Sequence, residues 1–206
     1  MLLQTRKKAL LLCLLTGFLL LLAGCGLPTY NLFDPGTPSE GLSAFLDAVI
    51  AGDDQTADEL LYNYSWHASD PSSAMVVSET DVAIVNCIVN GRSYAIVSES
   101  DYTKDSRTAR VTVSFTGFDM RKFEQRLTED AVKTVKQRQY KGETFDGPDD
   151  TVDIIEAAKE KLLQAPEEFY STQEFTLEMV CDKGHWRVIM SDEFYSALSG
   201  IFNQAI

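Results

Sequence analysis

Residues 108–117 read TARVTVSFTG, and this stretch decides the fold. Its residues alternate between polar and apolar, so that Val111, Val113 and Phe115 fall on one face of an extended chain. Such alternation is typical of a strand that buries one face and exposes the other. Residues 93–99 alternate in the same way, and a short polar segment separates the two stretches. Together they predict an antiparallel hairpin.

A second hairpin is predicted near the C-terminus. Its turn is Asp-Lys-Gly at residues 182–184, a sequence that favours a tight reversal of the chain. Apolar residues alternate on both sides of this turn, at Phe175, Leu177, Met179 and Cys181 before it and at Trp186, Val188 and Met190 after it. One face of each strand is therefore expected to lie against a core.

Six helices are predicted around the hairpins. Capping residues and apolar residues at helical spacing place their starts near Ser39, Asp53 or Asp54, Ser78, Asp119, Asp150 or Thr151, and Ser191. The apolar run at residues 82–89 fits a helix or a buried strand by periodicity alone, and the capped start at residues 78–81 together with the Gly91 stop favours a short helix. The order of the elements predicts an α+β domain in which helices cover one face of a small antiparallel sheet built from two hairpins.

The segments YAIVSES, ARVTVSFTGFDM, FTLEMV, KGHWRV and DEFYSAL resemble those of a family of small lipoproteins of Gram-positive bacteria whose molecular function is not established. The resemblance covers residues 39–202 and rests on packing motifs. It implies a cone-like body similar to that of nuclear transport factor and scytalone dehydratase, or to cystatin-like sheets. Folds of this kind host isomerases, dehydratases, carriers and binding modules, so the resemblance implies no single activity.

The N-terminus resembles a bacterial lipoprotein signal. A basic segment at residues 6–8 precedes an apolar run of 14 residues, and the run ends in Leu22-Ala23-Gly24-Cys25. The resemblance implies that the Cys25 thiol receives a diacylglycerol, with palmitate as an acyl chain, and that cleavage leaves Cys25 as the first residue of the mature chain. The alternative is a plain signal peptide, or a membrane anchor whose cysteine is incidental. The apolar run is short for a membrane-spanning helix.

The chain is expected to have three parts. Residues 1–24 are the signal peptide, residues 25–38 are a lipidated tether, and residues 39–206 are a single α+β extracytoplasmic domain. The tether is rich in Gly and Pro and lacks helical periodicity. Its 13 residues after Cys25 span at most about 45 Å when fully extended, which keeps the domain near the outer face of the cell membrane.

The chain is strongly acidic. The signal holds three of the 18 Lys and Arg residues and none of the 31 Asp and Glu residues, so the mature chain carries 15 basic against 31 acidic residues, a net charge of −16. Nucleic-acid binding needs a basic footprint, and this composition argues against it. The acidity also disfavours broad adhesion to anionic lipid, so the lipid on Cys25 is the expected anchor.

Two thiols remain after acylation of Cys25. Cys87 and Cys181 could form a disulfide, since an exported protein meets an oxidising environment. The alternative is two free thiols that pack as small hydrophobic groups. Because no spacing signature marks a metal site or a disulfide framework, free thiols are the expected state.

The sequence assigns no catalytic residue, metal ligand or cofactor. His67 and His185 lack partners at the spacing that a zinc site requires. Acidic residues cluster around the start of the helix that follows the long one, at Glu143, Asp146, Asp149, Asp150 and Asp153. They lack the spacing of a calcium-binding loop and suit the positive end of a helix.

The long helix predicted over residues 119–140 carries a basic face. On a helical wheel an apolar stripe (Met120, Phe123, Leu127, Ala131 and Val135) lies roughly opposite five cations, Arg121, Lys122, Arg126, Lys133 and Lys136. A solvated face with local ion pairs is the simplest interpretation. A contact with anionic headgroups or wall polymers is the functional alternative.

These observations predict a lipid-anchored module without enzymatic activity, held at the membrane through Cys25. Its expected partner is a small ligand, a wall component or an envelope protein, and not a nucleic acid. The alternative is a small isomerase or hydrolase of the cone fold, which would pair a pocket carboxylate with a tyrosine such as Tyr62, Tyr64 or Tyr94.

Overall fold

The order of helices and strands in the structure follows the sequence prediction. The computed structural model describes residues 35–65, 78–100, 102–103, 105–144 and 148–202. The helices are α1 (Pro38–Ala51), α2 (Asp54–Glu59), α3 (Glu79–Asn90), α4 (Met120–Tyr140), α5 (Pro148–Leu162) and α6 (Asp192–Leu198). The strands are β1 (Ser93–Glu99), β2 (Thr108–Phe118), β3 (Tyr170–Asp182) and β4 (His185–Ile189), and a 3-10 helix, Pro166–Phe169, precedes β3.

The four strands form one antiparallel sheet in the order β1-β2-β3-β4. Both predicted hairpins are present, and they join through β2 and β3, whose register runs from Thr108↔Val180 to Phe118↔Tyr170. The predicted α+β class, with a small antiparallel sheet packed against helices, is confirmed. The cone-like shape implied by the resemblance stays a prediction.

One face of the sheet is buried under α1 and α6. Val113 of β2 pairs with Phe175 of β3, and both are buried. The ring of Phe194 on α6 packs against Phe115 and Phe175, with ring centroids 5.8 and 4.9 Å apart. Aromatic pairs of this geometry contribute about 0.5–1.5 kcal/mol beyond the burial of their area. The alternation in the sequence therefore identified the core face of the sheet.

A second, smaller apolar cluster lies where α3, α4 and α5 meet the end of β2. Its buried members are Ile84, Phe118, Phe123, Leu162 and Phe169. The ring of Phe118 lies 5.5 Å from that of Phe123 and 6.0 Å from that of Phe169, measured between centroids. Strand β2 therefore belongs to both clusters, through Phe115 in the larger and Phe118 in the smaller.

The first helix begins earlier than the sequence predicted. Its N-cap is Thr37 and not Ser39, since Glu40 N donates to Thr37 Oγ1 at 3.1 Å and Thr37 N donates to Glu40 Oε2 at 2.8 Å. Pro38 occupies the first helical position, where its missing N–H costs no hydrogen bond. Part of the segment assigned to the tether is therefore helical.

The second helix ends at Glu59, although apolar residues continue at helical spacing beyond it. The chain leaves the helix because Leu61 forms a bridge beside Val188 of β4. Val188 N donates to Leu60 O at 2.9 Å, and Tyr62 N donates to Val188 O at 3.0 Å. These bonds cover the outer edge of β4, which pairing with β3 alone would leave open.

Asp119 is a buried charged residue, 1% exposed, that caps the long helix α4. Its Oδ1 accepts hydrogen bonds from Arg121 N at 3.1 Å and Lys122 N at 3.4 Å. Its Oδ2 accepts one from Ser171 Oγ of β3 at 2.7 Å. The carboxylate therefore satisfies the first N–H groups of α4 and joins this helix to the sheet.

We expect Asp119→Ala to lower the free energy of unfolding by about 2–3 kcal/mol, because the N-cap and a buried hydrogen bond to Ser171 are both lost. Ser191→Ala removes only the N-cap of α6 and is expected to cost about 1 kcal/mol. Urea unfolding followed by circular dichroism measures both losses. Equal losses in the two variants would contradict the role given to the Asp119 carboxylate.

Candidate functional site

The lipidation motif lies outside the described residues. The undescribed residues include the signal peptide (residues 1–24), Cys25 and most of the tether. Acylation of Cys25 therefore stays a prediction. Within the described ranges, no helix is long and apolar enough to cross a membrane.

Cys87 and Cys181 are both free thiols. Cys87 lies on α3 and packs against the smaller cluster, whereas Cys181 lies on β3 and packs against the larger one. The disulfide that the sequence left open is not formed, because the two thiols belong to different clusters. Partial burial raises the pKa of the Cys87 thiol, which lowers the thiolate fraction at neutral pH.

A tyrosine and a carboxylate meet at the junction of β1 and α1. Tyr94 Oη donates to Asp47 Oδ1 at 2.7 Å and lies 3.3 Å from Ser43 O. Partial burial and the hydrogen bond to Asp47 raise the pKa of Tyr94. Asp47 is exposed, and Tyr62 and Tyr64 are 54% and 43% exposed. The enzymatic alternative needs a tyrosine and a carboxylate paired in a pocket. The Tyr94–Asp47 pair is instead a contact near the surface that connects β1 with α1.

The residues considered as metal ligands are only partly within the described ranges. His185 is exposed at the start of β4, while His67 and Asp146 lie outside the described residues. In the part of the chain that the structure describes, no three His, Cys, Asp or Glu side chains are grouped to hold a metal ion. Asp149 and Asp150 lie in the first turn of α5, where they interact favourably with the helix dipole.

A partly buried ion-pair cluster joins α3 to α5. Lys159 Nζ lies 2.7 Å from Asp81 Oδ1 and 2.8 Å from Glu156 Oε1, and Thr80 Oγ1 donates to Glu156 Oε2. The hydrogen bond from Lys159, followed by that from Thr80, lowers the pKa of Glu156. Burial disfavours the charged form of Lys159, but its bonds to the two carboxylates outweigh burial and raise its pKa. These paired charges hold two helices together.

The structure divides the five cations predicted on the basic face of the long helix into two groups. In the first half of α4, Arg121 Nη1 donates to Phe202 O at 3.4 Å, and Arg126 Nη1 lies 3.5 Å from Glu129 Oε2. Lys122 is exposed in the first turn. The two guanidinium groups are therefore engaged by neighbouring parts of the protein, as the interpretation of a face with local ion pairs requires.

The second half of α4 presents a different surface. Four of its exposed residues and the residue that follows the helix form what we call the α4 terminal face: Val132, Lys133, Lys136, Tyr140 and Lys141. Val132 is 46% exposed and Tyr140 is 94% exposed. Residues 131–142 contain no Asp or Glu. The sequence predicts a basic face with Lys133 and Lys136 but not the other three residues, although the lack of acidic residues in this segment is visible in it.

The opposite side of this half-helix faces α5. Its half-buried residues are Ala131, Thr134, Val135 and Arg138. Asp130 borders the same side and binds Lys161 Nζ of α5 at 2.8 Å, and this bond is the main cause of the lowered pKa of Asp130. Val132, Lys133, Lys136 and Tyr140 of the α4 terminal face therefore lie on the side of the helix that does not pack against α5.

Comparisons with known proteins show no family for this chain. No family model matches it, and no curated protein matches it. A solved structure, the crystal structure at 2.62 Å of a "putative lipoprotein (ycdA)" from Bacillus subtilis, is similar to it with a TM-score of 0.45 and 16% sequence identity. The similarity covers 81% of this chain and 56% of that chain, so the chain spans little more than half the length of this neighbour.

We expect both remaining thiols to react with an alkylating reagent without prior reduction. Alkylation of the mature, denatured protein under non-reducing conditions should modify Cys87 and Cys181, because the two side chains pack in separate clusters. Mass spectrometry of the peptides measures the modification. A Cys87→Ser variant serves as the control, with alkylation at Cys181 alone. A peptide pair linked by a disulfide would contradict the structure.

Glu156 is expected to make stability fall at acid pH. Its folded pKa lies below its unfolded value, so its stabilising effect is complete above the unfolded pKa and is lost as the pH falls through the folded pKa. Glu156→Gln should therefore flatten the decline in unfolding free energy from about pH 7 to about pH 3, measured by urea titration.

The matched control is Glu178→Gln, which removes a carboxylate from an exposed pair with Arg110 at 3.3 Å. Exposed pairs of this kind contribute little, so this variant should follow the pH profile of the parent. If Glu156→Gln also followed the parent, the cluster around Lys159 would not be a source of acid sensitivity.

Proposed function

We propose that the protein is a lipoprotein held by a lipid on Cys25 at the extracytoplasmic face of the cell membrane, where it acts as a binding module and not as an enzyme. The observation that carries the proposal is the sequence Leu22-Ala23-Gly24-Cys25 directly after a basic segment and a short apolar run. The short tether that follows supports a domain that works close to the bilayer.

The packing beneath the helices supports a binding role over catalysis. An isomerase or hydrolase of the type considered would enclose its substrate in a pocket with a few convergent polar groups. Here Phe115, Phe194 and Phe202 fill the space over this part of the sheet, and all three are buried. The rings of Phe115 and Phe202 stack with centroids 6.2 Å apart. A partner would therefore be met by the outer surface.

The outer face of the sheet supports a partner that forms hydrogen bonds. Thr112 Oγ1 of β2 lies 2.9 Å from Thr176 Oγ1 of β3, and Thr116 Oγ1 lies 2.7 Å from Thr172 Oγ1. These residues are on the side opposite the core, and their hydroxyl groups are exposed. Such a surface suits a polar wall component or an envelope protein better than an apolar ligand.

Replacement of Cys25 by Ser should release the protein from membranes. The Ser hydroxyl cannot form the thioether on which the implied acylation depends, and the described helices include none that could span the bilayer. Fractionation followed by a high-salt wash and immunodetection measures the distribution. The matched control is Cys13→Ser. Residue 13 lies within the segment expected to be removed, so this variant should stay in the membrane fraction.

Retention of the Cys25→Ser protein after the wash would contradict lipid anchoring and would favour an uncleaved N-terminal anchor. Crosslinking in intact membranes, followed by detergent solubilisation, then tests the binding role. A partner crosslinked to the parent and lost with Cys25→Ser supports a function that requires the membrane location. Turnover of a candidate substrate by the purified domain would overturn the non-enzymatic assignment.

A further inference from the structure

We propose that the α4 terminal face rests against the anionic headgroups of the membrane and orients the domain on it. The inference rests on the proposed function, because it requires a membrane surface close to the domain. Its occupant is an anionic lipid bilayer, and its role is orientation, with the lipid on Cys25 as the anchor.

Charge complementarity is the first argument. Residues 131–142 include no acidic residue, and Lys133, Lys136 and Lys141 lie on the α4 terminal face of a chain whose net charge is −13. The remaining cation, Arg138, pairs with Glu143 at 3.7 Å and is not part of the face. An anionic leaflet repels the acidic remainder of the surface and attracts this segment. Each Lys or Arg held near such a surface strengthens association roughly fivefold, and the effect fades beyond a Debye length of about 10 Å at 0.1 M salt.

The direction of the face is the second argument. Its helical residues, Val132, Lys133, Lys136 and Tyr140, lie on the side of α4 roughly opposite to the residues that are half-buried toward α5. Among the described residues, Glu129 borders the face and pairs with Arg126 at 3.5 Å, and Glu143, two residues after Lys141, pairs with Arg138 at 3.7 Å. The cations of the face can thus approach a flat anionic surface together.

The uncharged members of the face are the third argument. The Tyr140 ring is 94% exposed and Val132 is 46% exposed, so both leave apolar area in water. Tyrosine combines an apolar ring with a polar hydroxyl and favours the level of lipid headgroups. Lysine side chains can lay their methylene groups along apolar surface while the ammonium group reaches phosphate. Val, Tyr and Lys on one helix face are therefore suited to the bilayer interface.

The tether makes the contact geometrically possible. The segment between Cys25 and Pro38 reaches at most about 45 Å, so the domain stays within range of the headgroups. Because attachment at one end already confines the domain, weak contacts of the α4 terminal face need only select among orientations.

The test attaches the domain to vesicles without the natural lipid. The chain from residue 26 onward retains the compact unit Pro35–Ile206 and is bound through an N-terminal histidine tag to vesicles that contain a nickel-chelating lipid. The vesicles contain either phosphatidylglycerol or phosphatidylcholine, with brominated acyl chains. Attachment through the tag does not depend on Cys25. The orientation proposed here can therefore be contradicted while lipid anchoring holds, and lipid anchoring can be contradicted while the orientation holds.

The readout is quenching of an introduced indole by the bromines. Tyr140→Trp should be quenched at least about twofold more than Tyr62→Trp on phosphatidylglycerol, after subtraction of the parent signal. Tyr62 is a matched control because it is 54% exposed and lies beside β4, away from α4. The difference should disappear at high salt and on phosphatidylcholine, because it depends on charge.

Charge reversal provides the second measurement. With the untagged chain at low salt, Lys133→Glu/Lys136→Glu/Lys141→Glu should lower association with phosphatidylglycerol vesicles by at least about tenfold. The control reverses three exposed cations near the ends of the strands and changes the net charge equally: Arg107→Glu/Arg110→Glu/Lys183→Glu. This control should bind more strongly than the triple Lys variant. Circular dichroism establishes that both variants are folded.

Two outcomes would overturn the proposal. Equal quenching at the two tyrosine positions would show that the α4 terminal face has no preferred position at the membrane. Binding of the parent to an isolated anionic wall polymer but not to vesicles, lost with the triple Lys variant, would assign the same face to a polymer and not to the bilayer.

Discussion

The pairing of β2 with β3 is the constraint on which the rest of the structure depends. Because side chains alternate along a strand, a slip of one residue would turn Val113 and Phe175 from the core to the solvent face. The same register brings Ser171 to the end of β2, where its hydroxyl meets the buried carboxylate of Asp119. The sheet therefore fixes both the core and the start of the long helix.

The attachment of α4 explains why one part of this helix is left uncovered. Phe123, in its first turn, is buried in the smaller cluster, and Asp130, near its middle, binds Lys161 of α5. Beyond this point one side of α4 still faces α5, and the other side extends into solvent as the α4 terminal face. A helix that packs along one side can present its other side to a surface without disturbing the core. In our proposals the lipid supplies the anchor and this face supplies the orientation, so each can be lost without the other.

Much of the secondary structure could be predicted from local sequence patterns. The alternation in β2 identified Val113 and Phe115 as core residues, and both are buried. Asp119 was placed at the start of the long helix, where it is the N-cap, but its burial and its bond to Ser171 were not visible. Gly91 was read as a helix stop. In the structure it has a negative φ, and a Cβ there would collide with the Tyr170 side chain unless that side chain moved, so tertiary packing also favours a glycine.

The sequence by itself determined the periodicity of the strands, the capping of most helices and the resemblance of its N-terminus to a lipoprotein signal, because each depends on residues that are neighbours in the chain. Only the tertiary structure decided that Leu61 leaves a helical pattern to cover β4, that the thiols of Cys87 and Cys181 pack apart, and that Lys159 pairs with Asp81 across two helices. It also decided which cations of α4 are engaged and which are exposed. The reason is that these features depend on pairs of residues far apart in the sequence, whose meeting is set by the packing of whole elements.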